Sequence, residues 1–244
     1  MNIRIALLNL IATFLLLALV MEASAQPRMV GVNVGNTLTY SPTVSWSSND
    51  STATPPSYLV EFNDTRWEEF TVTAISGTNI TMHATTDYKN DTEITTGGWV
   101  DVNTGDTENM SEEVISANLA AGDSMYTSSP YNTYIINDTV PRTYLSGERD
   151  TNHINLISSG TPSYSNDLYW DKTTGVLVEV VQDVTNQTGG FTTTWSLDIQ
   201  ITSSNLWTVV PEFPMWASAL LILTALTSAT IFIARKKQPK RSFC

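Results

Sequence analysis

The sequence predicts an all-β exterior domain, a single antiparallel sheet that is curved or sandwiched, between two terminal targeting segments. Three observations support this fold class. Apolar residues in the middle of the chain recur with a period of two, which is the period of a half-buried strand. Short segments rich in Gly, Asn, Asp and Thr separate these runs, as expected for hairpins. Both ends of the chain carry long uncharged apolar segments.

The first 25 residues have the features of a secretory signal peptide. Arg4 precedes the apolar run Ile5 to Val20, and Ala23-Ser24-Ala25 supplies the small residues of a cleavage site. Cleavage there would make Gln26 the first residue of the mature chain. The alternative is an uncleaved first span, although about 16 apolar residues are slightly too few to cross a bilayer.

The C-terminal region predicts a membrane anchor. Met215 to Ala234 form an uncharged apolar run of 20 residues. At about 1.5 Å per helical residue the run spans roughly 30 Å, the thickness of a bilayer hydrocarbon core. Five positive charges follow in residues 235–244, and Lys and Arg beside a span stay on the cytoplasmic face. We therefore predict a single-pass protein of the cell membrane, with a basic cytoplasmic tail and with residues 26–210 outside.

A short motif precedes this span and consists of Pro211, Glu212, Phe213 and Pro214. Pro-Glu-Phe, an apolar helix and a terminal basic cluster together resemble the PEF-type C-terminal signal of archaeal surface proteins processed by archaeosortases. The resemblance covers residues 209–244. It implies that an archaeosortase-like membrane enzyme recognises the motif and exchanges the helix for another anchor. The alternative is a plain single-span anchor whose prolines keep strand and helix apart.

The predicted exterior region is strongly acidic and has no cysteine. Residues 26–210 hold six of the 12 Lys and Arg, and together with Glu212 they hold 23 of the 24 Asp and Glu, a net charge of about −17. Such a surface repels nucleic acid and anionic lipid, so we expect no nucleic-acid partner. Because the only cysteine is Cys244, the exterior domain has to be stabilised by its core and not by disulfides.

The exterior region also carries seven Asn-x-Ser/Thr sequons. In an exported chain they predict N-glycosylation at exposed turns or at solvent-facing strand positions. The candidate asparagines are Asn49, Asn63, Asn79, Asn90, Asn109, Asn137 and Asn186.

Alternation of apolar and polar residues predicts the individual strands. The pattern is clearest from Phe191 to Thr202, and it also occurs from Val30 to Tyr40. Phe70 to Ala74 and Ile80 to Met82 predict a hairpin closed at residues 76–79. In contrast, residues 111–122 have a helical pattern, in which Ser111 can cap the first turn and Gly122 can end the last, with strand as the alternative.

Residues 168–180 predict a second hairpin, with a short loop in which Gly175 supplies the positive φ of a bulged turn. Trp-Asp-x-x-Thr-Gly, followed by an apolar strand, resembles a hairpin of curved-sheet envelope proteins such as the LolA-like lipoprotein carriers. Ala117-Asn118-Leu119, Gly122-Asp123 and Tyr126 resemble uncharacterised archaeal secreted proteins, a resemblance that implies no activity.

No catalytic motif or cofactor motif is present. His83 and His153 lie in different segments without a His-Glu-x-x-His pattern, and the exterior region offers no thiol nucleophile. The adjacent carboxylates Glu68-Glu69 and Glu112-Glu113 are expected to point to opposite faces of a strand and so not to share a site. We therefore predict no catalytic residues, no cofactor and no enzymatic activity.

One acidic stretch is a weak candidate for a calcium site. Its oxygen ligands would be Asp101, Asn103, Asp106 and Glu108, with Gly105 in the turn between them. The spacing departs from the EF-hand loop, since Gly105 comes one position early and no Glu occupies the twelfth position. An acidic hairpin turn after the strand Trp99 to Val102 is the interpretation that we favour.

These patterns leave three functional hypotheses, of which the third, an exported enzyme, has no supporting motif. The first is a membrane-anchored, glycosylated surface protein that acts by interaction or as a coat. The second is an extracytoplasmic binding module that holds a lipid or another apolar ligand in a curved sheet. The second is suggested by the hairpin resemblance and by the exterior tryptophans Trp46, Trp67, Trp99, Trp170, Trp195 and Trp207. Aromatic residues at strand spacing usually belong to the core, which favours the first hypothesis.

Overall fold

The computed structural model describes residues 28–207, except Ser111, Ser146 and the side chain of Tyr131. The predicted signal peptide, sorting motif, transmembrane helix and basic tail lie outside the described residues. Within residues 28–207 no helix has the length and apolar character needed to cross a membrane.

In the described part of the chain, ten strands form a single sheet and each neighbouring pair is antiparallel, so the predicted all-β antiparallel fold is confirmed. The strands are β1 (Thr37–Ser48), β2 (Thr65–Ser76), β3 (Asn79–Tyr88), β4 (Glu93–Asp101), β5 (Thr107–Glu108), β6 (Asp138–Tyr144), β7 (Gly147–Ser158), β8 (Ser163–Asp171), β9 (Leu177–Thr188) and β10 (Phe191–Ser204). Their order across the sheet is β5-β4-β3-β2-β1-β10-β9-β8-β7-β6.

The first and last strands meet in the middle of the sheet. β1 pairs with β10 from Leu38 opposite Ser204 to Ser48 opposite Thr193. β2 to β5 follow β1 outward on one side, and β6 to β9 lead back to β10 on the other. The sheet is therefore two meanders joined by one long-range pairing.

The predicted hairpins are present. β2 and β3 turn at residues 76–79, and β8 and β9 are joined by a loop in which Gly175 has φ 73°. The predicted strand from Val30 is wrong in its first half: residues 28–36 lie outside the strands, and β1 begins at Thr37. Val32 is nevertheless buried, so the alternation in this segment reflects packing and not pairing.

The sheet is curved. β4 and β8 are six positions apart in the strand order, which corresponds to about 29 Å across a flat sheet at roughly 4.8 Å per strand. Thr96 of β4 and Leu168 of β8 nevertheless line the same cleft, whose volume is about 510 Å³. The two halves of the sheet must therefore bend toward each other.

The register defines the face that turns toward this cleft, which we call the inner face. One row of paired residues crosses it through Thr96, Ala84, Phe70 and Leu38. A second row crosses it through Leu168, Val180, Ile199 and Pro42. Successive side chains of a strand alternate between the faces, so the residues between these positions lie on the outer face.

Two segments cover parts of the inner face. Helix α1 (Ser57–Asp64) packs against β1 and β2 and buries Leu59 completely. The second is residues 109–137, here called the covering segment, which places Leu119, Met125 and Tyr126 against Ile154 and Trp170.

The helix prediction is wrong in its location. α1 was not predicted, because it is only eight residues long and buries a single apolar side chain, too little for a helical period. Residues 111–122 are irregular where they are described. Their backbone is bound by other segments: the Ile115 N–H donates to Gly175, and Val114 forms a bridge with Val176. These contacts compete with helical hydrogen bonds.

Candidate functional site

The candidate site is a cleft on the inner face, here called the inner cleft. It consists of a cavity of about 510 Å³ and a neighbouring one of about 220 Å³. Tyr40, Phe62, Glu68 and Ile199 line both cavities, so the two adjoin each other. Strands from both halves of the sheet contribute to the walls, and α1 and the covering segment supply its borders.

Most of the wall of the inner cleft is apolar. The apolar side chains are Tyr40, Pro42, Phe62, Phe70, Ala84, Met110, Leu168, Leu177, Val180 and Ile199. The Tyr40 ring packs edge to face against Phe70, with 5.8 Å between the ring centroids. Its hydroxyl donates a 2.7 Å hydrogen bond to the backbone oxygen of Leu177. This bond spans 137 residues of sequence and joins β1 to the start of β9.

The charged side chains that line the inner cleft, among the described residues, are all acidic. They are Glu61, Glu68, Glu112 and Glu113, and no described lining residue is Lys, Arg or His. Glu68 lies on β2 beside Phe70 and accepts a 3.2 Å hydrogen bond from the Thr86 hydroxyl. The cleft therefore combines an apolar wall with a concentration of negative charge.

The carboxylate of Glu68 is perturbed by this environment. Burial raises the pKa of Glu68, the Thr86 hydrogen bond opposes the shift, and the charges of Glu113 and Glu61 raise the pKa further. Burial, Glu113 and Glu68 also raise the pKa of Tyr40 well above its ordinary value. In both cases burial is the largest cause, and the nearby carboxylates add to it.

The expectation for the adjacent carboxylate pairs is correct for one pair and wrong for the other. Glu68 faces the cleft, whereas Glu69 accepts a hydrogen bond from Thr39 on the outer face. Glu112 and Glu113 both line the cleft, because they lie in the covering segment and not in a strand. Alternation of faces does not apply to an irregular backbone.

Neither a family model nor a curated protein matches this sequence. The geometry and charge of the inner cleft are therefore the basis on which a function is proposed below.

A third cavity, of about 200 Å³, continues the cleft under the covering segment. It shares Glu112 and Leu168 with the larger cavity and is also lined by Met125, Tyr134 and Trp170. The side-chain oxygen of Asn166 is buried at this place and has no hydrogen-bond partner among the residues that the structure describes. Of the tryptophans that suggested a ligand, Trp170 lines this third cavity and the others line none of the three, so the aromatic part of the wall comes mainly from Tyr and Phe.

His153 belongs to a polar network on the outer face and not to the cleft. Its Nδ1 lies 3.0 Å from Asp138 and its Nε2 lies 2.7 Å from Asp167. Its ring stacks on Tyr169 with 4.6 Å between the centroids. The guanidinium of Arg142 lies 4.0 Å above the ring of Tyr169 and forms an ion pair with Glu179. These side chains bind one another, which assigns the network a structural role. The other histidine named in the sequence analysis, His83, is exposed on β3.

The four calcium candidates lie in the turn between β4 and β5 and at the strand ends that flank it. Their oxygens have internal partners. Asp101 accepts from the backbone of Asn103, and Asp106 accepts from the Thr104 hydroxyl. Glu108 accepts from the indole of Trp99. In the part of the chain that the structure describes, no group of three or more His, Cys, Asp or Glu could hold a metal ion.

The sequons differ in their exposure. Five of the asparagines are exposed, namely Asn49, Asn63, Asn90, Asn109 and Asn137. Asn79 and Asn186 are half-buried, and both lie in strands. Asn109 lines the rim of the inner cleft, so a glycan at this position would stand beside its entrance.

Proposed function

We propose that residues 26–210 form the exterior binding domain of a membrane-anchored cell-surface protein, and that its inner cleft holds a ligand with an apolar body. The observation that carries this proposal is the inner cleft. Its larger cavity, about 510 Å³, falls within the range of roughly 300–1,000 Å³ typical of small-molecule sites. A mostly apolar wall with a few polar groups is also typical of such sites.

We propose further that the domain binds without catalysis. The described residues that line the inner cleft include no His and no Cys, so among them there is no thiol nucleophile and no histidine base that could activate a hydroxyl. The wall is better suited to holding an apolar group than to a hydrolytic reaction.

The location of the domain is part of the same proposal. The signal peptide and the apolar run 215–234 support export and a single membrane span. The Pro-Glu-Phe resemblance supports an archaeosortase-like enzyme as the processing partner.

A protease test would check this orientation. A protease added to intact cells should remove the domain and leave a tag placed after Cys244 intact. Digestion of that tag would contradict the orientation.

A second candidate function is that of a glycosylated surface coat. The five exposed sequons favour it, because each offers an accessible acceptor on an exported domain. A coat protein needs no ligand, so blocking the inner cleft would leave its function unchanged.

Ligand binding can be tested with the full chain reconstituted in lipid nanodiscs. Octanol would be titrated by calorimetry, with empty nanodiscs as the reference. Thr96→Trp should obstruct the cleft and weaken binding by at least about tenfold, or about 1.4 kcal/mol. The matched control is Thr95→Trp, since Thr95 precedes Thr96 in β4 and points to the outer face, where its hydroxyl contacts Thr85. Equal effects of the two substitutions, or no binding to the unchanged protein, would refute the binding function.

A further inference from the structure

We propose that Asn90 is the main glycan acceptor of the domain, and that the first sugar of its glycan packs into a cavity between α1 and the turn that joins β3 to β4. The inference rests on the proposed export of the domain, and it adds which sequon is used and what holds the sugar. Two independent observations carry it, namely the accessibility of the sequon and the cavity that Asn90 lines.

The sequon Asn90-Asp91-Thr92 lies in the turn between β3 and β4, and all three of its residues are exposed. The side-chain oxygen of Asn90 accepts a 3.1 Å hydrogen bond from the Thr92 N–H and a 2.6 Å hydrogen bond from the Thr92 hydroxyl. The amide nitrogen, the atom that takes the sugar, therefore lies on the side away from Thr92. A glycosyltransferase has to contact the asparagine and the hydroxyl residue, and this turn presents both to solvent.

The other sequons are less accessible. Asn79 and Asn186 are half-buried in strands. Thr65, which completes the sequon of Asn63, is only 7% exposed, and its hydroxyl donates to the backbone oxygen of Glu61. Hydrogen bonds tie the remaining three asparagines to neighbouring strands: Asn49 to Thr192, Asn109 to Gly97 and Asn137 to Asn155. Asn90 is therefore the acceptor that the folded domain presents best.

A fourth cavity, here called the turn cavity, lies beside Asn90 and has a volume of about 530 Å³. Residues of α1 form one side of it, and Tyr88, Lys89 and Asn90 form the other. Lys89 joins the two sides, because its N–H donates a 2.7 Å hydrogen bond to the backbone oxygen of Asp64 and its amino group donates to that of Asn63. The turn cavity is therefore already formed in the protein without a glycan.

The lining of the turn cavity suits a sugar ring, which has hydroxyl groups at its edge and apolar C–H groups on its face. Ser57 and Asp64 offer oxygens that accept hydrogen bonds from such hydroxyls. Val60 is 45% exposed and, together with the ring of Tyr88, offers apolar surface to the C–H face. A sugar held at Asn90 would cover this exposed valine, which is favourable because it removes apolar surface from water.

Attachment of the glycan forms a bond between Nδ2 of Asn90 and the anomeric carbon of the first sugar. The bond from this carbon to a phosphate oxygen of an activated glycosyl donor breaks, and the phosphate keeps the electron pair. The amide nitrogen loses one proton to a base of the transferase. The partners of this site are thus a glycosyl phosphate donor and a glycosyltransferase.

Site occupancy is the first test. The full chain would be isolated from cells that produce it naturally, and its glycopeptides would be analysed by mass spectrometry. We expect Asn90 to be glycosylated in a larger fraction of molecules than any of the other six asparagines. Thr92→Ser keeps the hydroxyl and should keep the glycan, whereas Thr92→Ala should lose it.

The outcomes separate the inference from the proposals on which it rests. An unmodified Asn90 beside other glycosylated sequons would overturn the inference and leave a glycosylated exterior domain standing. If all seven sequons are unmodified, the inference and the glycosylated coat fail together. Neither result bears on ligand binding in the inner cleft.

Packing of the sugar is the second test, with the melting temperature of the full chain as the readout. Asn90→Gln should lower it by about 3 °C more in the glycosylated protein than in protein from a host without N-glycosylation, which is the matched control. Val60→Ser removes apolar wall from the turn cavity and should also cost more when the glycan is present. Equal losses with and without the glycan would show that the sugar does not pack in the cavity and would overturn the inference.

Discussion

The hydroxyl of Tyr144 donates a 2.6 Å hydrogen bond to Oε2 of Glu179, although the two residues are 35 positions apart. Both residues are buried, and the same carboxylate oxygen pairs with the guanidinium of Arg142 at 2.5 Å. Tyr144 and Arg142 belong to β6, the last strand of the sheet, and Glu179 belongs to β9. The contact therefore ties the edge of the sheet to a strand three positions away.

Removing the Tyr144 hydroxyl should destabilise the domain. Tyr144→Phe leaves the ring in place but takes one donor from a buried carboxylate. Hydrogen bonds to charged groups contribute about 1.5–3 kcal/mol, so we expect a loss of this size in the free energy of unfolding, measured by urea titration. Tyr164→Phe is the control, because Tyr164 is 40% exposed, and it should change stability by no more than about 0.5 kcal/mol. Equal losses in both variants would contradict a specific role for the bond.

The stability of the domain should depend on pH through Glu68. Burial, together with Glu113 on the covering segment and Glu61 on α1, raises the pKa of Glu68 above its ordinary value of 4.5, while the Thr86 hydroxyl opposes the shift. The folded protein therefore holds this proton more tightly than the unfolded chain does. The resulting stabilisation is complete below the unfolded pKa and is lost as pH rises through the raised folded pKa.

Glu68→Gln should remove this part of the pH dependence. The variant should gain in melting temperature relative to the unchanged protein as the pH rises above about 4.5 toward neutrality. Melting curves between about pH 4 and pH 8 would measure the difference, with Glu69→Gln as the control on the outer face. A constant difference between Glu68→Gln and the unchanged protein over this range would contradict the assignment.

The acidic turn between β4 and β5 should not discriminate between calcium and magnesium. The Asp101 carboxylate already accepts hydrogen bonds from the backbone of Asn103 and Thr104 and from the hydroxyl of Thr78. We therefore expect both ions to change the melting temperature equally at the same ionic strength. A calcium-selective rise that Asp101→Ala abolishes would show that the turn is a binding site, since selective binding stabilises the folded state.

The residues before the predicted span offer a test of the sorting signal. Glu212→Ala combined with Phe213→Ala should leave export intact, because these residues contribute little to partitioning compared with the apolar run. A processing enzyme would have to read the motif directly, so the double variant should stop removal of the helix. Mass spectrometry should find wild-type protein without residues from about 215 onward and the variant complete through Cys244. A wild-type protein that keeps its helix would support the plain anchor.

Much of the local structure could be predicted from the sequence. The hairpins β2–β3 and β8–β9 and the strand β10 follow from alternation and from short turns, and both signals act over a few residues. Glu68 could have been recognised as unusual, because it precedes Phe70 by two positions and Val72 by four. A strand places such residues on the same face, so Glu68 occupies an inner-face position. Its neighbours Glu61 and Glu113 could not have been predicted, since no local pattern places a helix or a loop over this face.

The sequence by itself determined the period of the strands, the acidity of the exterior region and the apolar character of its two ends. Each of these follows from residue types and from spacings of a few positions. Only the tertiary structure decided that β1 pairs with β10 and that the covering segment lies over β8 and β9. It thereby also decided that Glu113 shares a cleft with Glu68. The reason is that these contacts join residues tens to more than a hundred positions apart, and their free energy comes from burial and pairing that exist only once the sheet has curved.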